Sequence, residues 1–372
     1  MRNLKRALSL TLASVMLLGM MVLGTSAASY PDVNDEHNVE AIEVLQAIGV
    51  MSGSNSGNFN PDGKVTRIEM AIVMANLLDL DVDYFQGQNT FSDVPAWASG
   101  YVNACAASGI VTGVGGGRFG TGNVTATQAA LMMLKALGYF QYNSDFGSDW
   151  ARATALQASK INLFKDLEVR DNTQLTRNHV AQLALNALEA DMVDADTSGN
   201  LNITTSDGTV VSNNNVKYVV RTSQSAFAKA IDSTGNEGSS SDGRNGSIIQ
   251  LGEQLYNGDL KRNETGTTTT AFKDPAVRWS YKTKEIGTYA KSADLTYTKE
   301  VKLCDIYKDL GLSAKANTVK FAVDGDESAN ANDGSTVVDK DALTSSNEAK
   351  VGGKGSLTKV YYSEAAGSVT VT

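Results

Sequence analysis

Val65-Thr66-Arg67-Ile68-Glu69 returns twice in this chain, as Val124-Thr125-Ala126-Thr127-Gln128 and as Leu175-Thr176-Arg177-Asn178-His179. Each copy reads as a helix start. Thr66 and Glu69 have the spacing of a capping box: the hydroxyl accepts the third helical amide and the carboxylate accepts the threonine amide. Thr125 and Gln128 keep that spacing, and Thr176 keeps the cap with His179 at the Glu position. Capping does not explain Arg67, because a cation in the first turn opposes the helix dipole by about 0.3–1 kcal/mol. A helix N-terminus with free amides attracts anions, and a guanidinium beside it adds paired donors for a carboxylate or phosphate. Arg67 and Arg177 are therefore candidate anion ligands. Ala126 has lost the cation and reads as structural, so Ala126→Arg is expected to strengthen anion binding.

Working outward, each helix start closes a longer repeat. Tyr30-Pro31-Asp32-Val33 returns as Phe91-Ser92-Asp93-Val94. After each comes a helical apolar pattern that stops at Gly49-Val50 or Gly109-Ile110, where glycine ends a helix. A Gly-rich turn with an aromatic follows, Gly53 to Phe59 and Gly113 to Phe119. A more worn third copy starts near Trp150, with Lys160-Ile161-Asn162 where the Gly-Ile stood. The boundaries are 28–86, 87–144 and a divergent 145–196. Asp194 to Asn200 is small and polar and reads as a linker. Residues 203–372 alternate like strands around Val216–Val220, Val360–Tyr362 and Val369–Thr372. Helical candidates interrupt them at Ala226–Ile231, Ile248–Tyr256 and Cys304–Leu310, and Gly235–Gly246 and Gly266–Thr270 read as loops. The fold class is α+β multidomain, with an all-α N-terminal part and a β-rich α+β C-terminal region. The chain ends in mid-strand, which suggests a longer parent protein.

Asp-Val, a helix, Gly-Ile or Gly-Val, a Gly-rich turn, Phe and Val-Thr-Arg-x-Glu, three times after a leader, resembles the S-layer homology (SLH) family. The resemblance covers about 28–196. It implies a pseudo-threefold helical bundle whose inter-repeat grooves hold anionic, often pyruvylated, secondary cell-wall polysaccharide. On that resemblance Arg67 and Arg177 contact the acidic sugar, and Asp32, Asp93, Trp97, Gly53 and Gly113 complete the grooves. Ala126 departs from the pattern, which leaves two working grooves. Residues 279–298 are similar to regions that follow such repeats in surface proteins of anaerobic Gram-positive bacteria, and name no activity.

The bulk composition agrees with an exported surface protein. Met1 to Arg6 is basic, Ala7 to Leu23 is uncharged and apolar, and Thr25-Ser26-Ala27-Ala28 offers a cleavage site, so residues 1–27 read as a signal peptide. An uncleaved anchor would need about 20 apolar residues. With Arg2, Lys5 and Arg6 removed, the formal charge moves from −9 to −12. An acidic surface excludes nucleic acid as a partner, since that binding rests on phosphate neutralisation; no membrane contact is expected after cleavage. Two cysteines, Cys105 and Cys304, do not make a disulfide scaffold. Cys105 falls on the apolar face of a helix and reads as core, as does Trp150; Trp97 is open between core and sugar platform.

Familiar catalytic patterns are missing. His37 and His179 lack metal-ligand spacing, and no nucleophile elbow or phosphate loop is present. Asp194-x-Asp196-x-Ser198-Gly199 opens like a calcium loop but has Thr205 at its twelfth position, and Asp324-x-Asp326 is equally incomplete. No cofactor or metal is expected; calcium is compatible and not demanded. The expectation is a non-enzymatic, secreted cell-wall or S-layer protein, with lateral self-association as its further contact. The alternatives are an SLH-anchored hydrolase or an adhesin, with activity in the C-terminal region.

Overall fold

The computed structural model describes residues 30–34, 36–88, 90–197, 202–204, 210–212, 216–221, 248–256, 258–263, 275–291, 293–310, 320–323, 350–355, 357–363 and 368–372. The leader, the helical candidate at 226–231, both loops and the Asp324 turn lie outside the described residues. The described residues fall into two compact units, one within Met1–Ala228 and Ile248–Leu260, the other within Lys229–Ser247 and Lys261–Thr372.

Seven helices open the first unit: α1 (Val39–Ala47), α2 (Arg67–Leu77), α3 (Val82–Phe85), α4 (Ser99–Ala107), α5 (Ala126–Ala136), α6 (Trp150–Lys160) and α7 (Arg177–Glu189). The first helix of each repeat ends in the same way. Gly49 and Gly109 take φ of 79° and 74°, and Asn162 replaces glycine in the third copy at φ 57°. Asparagine tolerates this left-handed conformation better than most residues. The next residue, Val50, Ile110 or Leu163, is buried and donates its amide five residues back, to Leu45, Cys105 or Ala158. The worn third repeat thus keeps the helix stop in different residues.

The helices pack between repeats rather than within them. α2 packs on α4, α5 on α6, and α7 returns to α1. Just before the second helices, the backbones hydrogen-bond in a closed cycle. Val65 donates to Leu175 at 3.0 Å, Leu175 to Val124 at 3.0 Å, and Val124 to Val65 at 2.9 Å. Beneath it Leu45, Met70, Met74, Met133, Leu134 and Leu137 are completely buried. Each such side chain contributes roughly 1.5–3 kcal/mol by leaving water.

The first unit continues past residue 196. β1 (Val193–Asp196) pairs antiparallel with β4 (Lys217–Val220), with the short hairpin β2 (Asn202–Thr204) and β3 (Val210–Ser212) between them in sequence. Asp194 to Asp196 is therefore strand where a linker was expected, because its backbone finds partners across the sheet; residues 198–200 lie outside the described residues. Val193 donates to the Leu137 carbonyl at 2.8 Å. A side chain at Gly138 (φ 103°) would run into the Val193 carbonyl, so glycine is required at this approach. The Tyr218 hydroxyl accepts the Gln141 amide at 2.9 Å and donates to Asp145. The short helix α8 (Leu251–Tyr256) packs on α7.

The second unit is β-rich, as its alternation predicts. β5 (Leu260–Asn263), β6 (Ala276–Tyr281) and β7 (Lys284–Ala290) form one sheet around the completely buried Trp279. A second sheet has the order β10-β13-β12-β8, from β8 (Leu295–Tyr297), β10 (Lys320–Val323), β12 (Thr358–Ser363) and β13 (Ser368–Val371). Only its β10–β13 pairing is parallel. β9 (Val301–Lys302) pairs with β11 (Lys350–Val351), and α9 (Leu303–Asp309) follows β9. Val301, Ile306, Tyr307, Val351, Val360, Val369 and Val371 form the core of this unit.

Candidate functional site

Phe119 organises the first of two matching constellations. Its ring is completely buried. Asp93 closes the loop by accepting the Phe119 amide on Oδ1 (2.7 Å) and the Gly120 amide on Oδ2 (2.9 Å). The Phe119 amide does most to hold the Asp93 carboxyl below the usual range. Arg67 arrives from the preceding repeat. Its guanidinium lies 4.8 Å from the Phe119 ring centroid, Nε donates to the Phe119 carbonyl (3.2 Å), and Nη2 donates to the Thr112 carbonyl (2.8 Å). Gly113 belongs here for steric reasons: a Cβ would lie 2.8 Å from the Phe91 ring and 2.7 Å from the Arg118 carbonyl.

Phe59 repeats the arrangement between the third repeat and the first. Asp32 accepts the amides of Phe59 (2.9 Å) and Asn60 (2.7 Å). Desolvation pulls the Asp32 carboxyl upward, but these amides outweigh it and leave the carboxyl below its ordinary value. Arg177 lies 4.5 Å from the Phe59 centroid and donates from Nε to the Phe59 carbonyl (2.8 Å) and from Nη2 to the Ser52 carbonyl (2.7 Å). Gly53 donates to the Tyr30 hydroxyl at 2.8 Å, and a Cβ at this position would enter the Tyr30 ring. Burial lowers the affinity of both guanidinium groups for their proton, yet arginine stays charged. Arg177 also feels Glu69, Tyr30 and Asp32, whereas burial alone perturbs Arg67. Among the described residues neither arginine is ion-paired, and neither Nη1 has a protein partner.

The helix starts differ from the sequence expectation in one respect: their first amides are not free. Arg67 donates to the Gly122 carbonyl (2.9 Å), Ala126 to Thr173 (2.9 Å) and Arg177 to Gly63 (2.8 Å). The third helical amide is held by the capping threonine in all three copies. At the start of α7 the second amide, Asn178, is also taken, by the Pro61 carbonyl (2.9 Å), so there the guanidinium and not the helix amides is available to an anion.

The junction between the second and third repeats is built otherwise. Ala126 is completely buried, and the Thr127 hydroxyl donates to the Asp171 carbonyl at 2.9 Å. An arginine at 126 would have to displace the residues that cover this alanine, which counts against the expectation that Ala126→Arg would add a ligand. Trp97 lies on the 3-10 turn Ala96–Ala98 at 38% exposure, and among the described residues no hydrogen bond or ring contact joins it to either constellation. Trp150 is not core: at 44% exposure it lies beyond the covered stripe of Thr154 and Ala158. Cys105 is buried and its thiol is pushed up to about 12. Asp194 accepts Arg221 Nη2 at 2.7 Å, which gives the first carboxylate of the calcium-like run a partner.

Phe59 and Phe119, the centres of the constellations, stand in the sequence only as the aromatic that closes each Gly-rich turn and are not among the candidate ligands. Their recurrence after the Gly-rich turn of the first two repeats, 27 residues after Asp32 and 26 after Asp93, is the signal that could have found them. Among the described residues, no helix is long and apolar enough to cross a membrane.

Residues 29–71 and 90–125 match the family model of the S-layer homology domain. A middle cell wall protein of Brevibacillus brevis is 30% identical over 196 residues, 51% of this chain and 18% of that protein. An S-layer protein of Bacillus thuringiensis subsp. finitimus is 25% identical over 184 residues, 49% of this chain and 21% of its own length. The exoglucanase XynX of Acetivibrio thermocellus is 24% identical over 151 residues, 37% of this chain and 14% of the enzyme. The chain thus spans about a fifth of the length of the two surface proteins.

Proposed function

We propose that this chain, a secreted protein of the bacterial cell wall carrying S-layer homology domains, is held there non-covalently by its repeats. They grip an anionic, pyruvylated secondary cell-wall polysaccharide. One observation carries the reading: Arg67 and Arg177 are each fixed by a phenylalanine face and two backbone carbonyls, with Nη1 left over. A pre-positioned guanidinium loses little side-chain freedom when it meets a carboxylate. The cyclic bonding of Val65, Leu175 and Val124 supports a pseudo-threefold bundle with one groove per junction. Two of those grooves work, and Arg67 is the stronger ligand because no carboxylate offsets its charge. Asp32, Asp93, Gly53 and Gly113 shape the grooves through the loops they hold. The reading needs no metal. The second unit faces other copies of the protein in a lateral lattice; the glycosidase relative shares 14% of its own length, too little to carry its activity over.

Co-sedimentation of the secreted chain with purified wall sacculi tests this. Wild type pellets, and sacculi stripped of anionic polysaccharide release it. Arg67→Ala loses about tenfold in affinity, roughly 1.4 kcal/mol, and the double variant with Arg177→Ala loses more. Unchanged binding to stripped sacculi, or by a folded double variant, refutes the reading. Arg67→Lys retains the charge without the fork and falls between.

A further inference from the structure

The chain has two histidines, His37 and His179, and both stand where the third repeat meets the first. His179 occupies the capping position that Glu69 and Gln128 hold in the other copies. Its Nδ1 accepts the Thr176 amide at 3.3 Å, while its own amide donates to the Thr176 hydroxyl at 3.2 Å. An imidazole nitrogen accepts only when it carries no proton, so this cap requires neutral histidine. Glutamine does not titrate and glutamate does so near ~4.3. Of the three caps, this one alone changes between pH 5 and 8.

The cap holds the closure of the repeat ring. Thr176 bridges Lys64, Val65 donates to Leu175 (3.0 Å), Arg177 to Gly63 (2.8 Å) and Asn178 to Pro61 (2.9 Å). Asn178 Oδ1 accepts the Asn38 amide at 2.8 Å. We propose that the junction between the third and first repeats is an acid-sensitive latch, closed by neutral His179 and loosened when its imidazole takes a proton. A protonated Nδ1 turns a donor toward the Thr176 N–H and adds a cation to the first turn of α7, beside Arg177 and against the helix dipole.

The surrounding charges fix the sign. The loop before α2 brings Asp62 and Lys64, α2 brings Glu69, and the turn before α1 brings Asp32 and His37. α1 adds Glu40 and Glu43, and Lys135 of α5 is engaged with the Gly109 carbonyl. Burial first and Lys64 second lower the proton affinity of His179, and Asp62 opposes them. The latch is therefore complete above the ordinary value of 6.5 and weakens as pH falls below it. His37 lies outside the cap: its Nδ1 accepts the Asn34 amide at 3.1 Å and its Nε2 lies 3.9 Å from Asp62.

Amide hydrogen exchange of the full chain between pH 7.5 and 5, corrected for intrinsic rates, reads the latch directly. Opening at Val65, Arg177 and Asn178 should rise by up to about tenfold per pH unit, while Arg67, Val124 and Ala126 stay level. His179→Gln, which copies the second repeat, should flatten the response, and His37→Gln should leave it. A level wild-type profile, equal loosening at every junction, or an undiminished response in His179→Gln overturns the proposal. So does a proton on Nδ1 at pH 7.5, read from imidazole nitrogen shifts in the wild type, which needs no variant to fold.

Discussion

Two junctions of the repeat ring are built around an arginine on a phenylalanine, and the third around a threonine hydroxyl and a buried alanine. The backbone does the same thing at all three: the first helical amide donates to Gly122, Thr173 or Gly63 of the neighbouring repeat at 2.8–2.9 Å. The cap is also common, since each threonine accepts the third helical amide. Architecture therefore resides in the backbone cycle and the threonines, which survive in every copy. The arginine–phenylalanine–aspartate set lies on top of that architecture and can be lost without opening the ring, as the second–third junction shows. A set that the fold can dispense with is the natural place to look for function.

The largest expected break in this comparison is at the phenylalanines. Phe59→Ala and Phe119→Ala each remove a buried ring, at about 3–5 kcal/mol for such a truncation, and each frees the arginine stacked on it. Denaturant unfolding should show a shifted midpoint for both, together with weakened wall binding.

Next comes an attempt to make the third junction resemble the other two. Because Ala126 is completely buried against the Thr173 loop, Ala126→Arg should overpack it and destabilise the chain by about 1–3 kcal/mol. Wall affinity should not rise. A stable variant that binds more tightly would show that the junctions differ only in the side chain at this position.

Smaller still, Thr66→Ala, Thr125→Ala and Thr176→Ala should each cost about 1 kcal/mol in thermal or denaturant unfolding. Equal losses would confirm that capping is shared across the ring, whatever each junction does besides.

How much of this was legible beforehand follows the same division. The capping threonines, the helix stops at Gly49, Gly109 and Asn162, and the α+β division appear in the sequence because local spacing and turn chemistry specify them. Arg67 and Arg177 were visible as residues that capping leaves unexplained. Their partners were not, because the Thr112, Phe119, Ser52 and Phe59 carbonyls come from other repeats, and a carbonyl leaves no mark in a sequence. The strand at Val193–Asp196 was read as a linker for a like reason: its partner, Lys217–Val220, is two dozen residues away and its own composition is that of a turn. Trp150 looked like core because repeat starts often carry sealing aromatics, yet its position on α6 leaves it exposed.

The smallest effect separates the two arginine junctions from the third by acid alone. Asp32 and Asp93 each accept two consecutive loop amides and have carboxyls held below the ordinary 3.8. A depressed carboxyl stabilises the fold at pH above its unfolded value, and that contribution is lost as pH falls through the folded one. Both residues are half-buried at the surface, so solvent still screens the gain and keeps it modest. Unfolding measured from pH 5 to 2 should therefore fall less steeply in an Asp32→Asn, Asp93→Asn variant than in wild type. The variant should also begin less stable at pH 5, because an amide group cannot accept both loop N–H groups. Since His179 acts above pH 5 and these carboxylates below it, one titration separates the latch at the third–first junction from the loop clamps that both arginine junctions share. Identical slopes for wild type and variant would mean that Asp32 and Asp93 hold their loops by shape and not by charge.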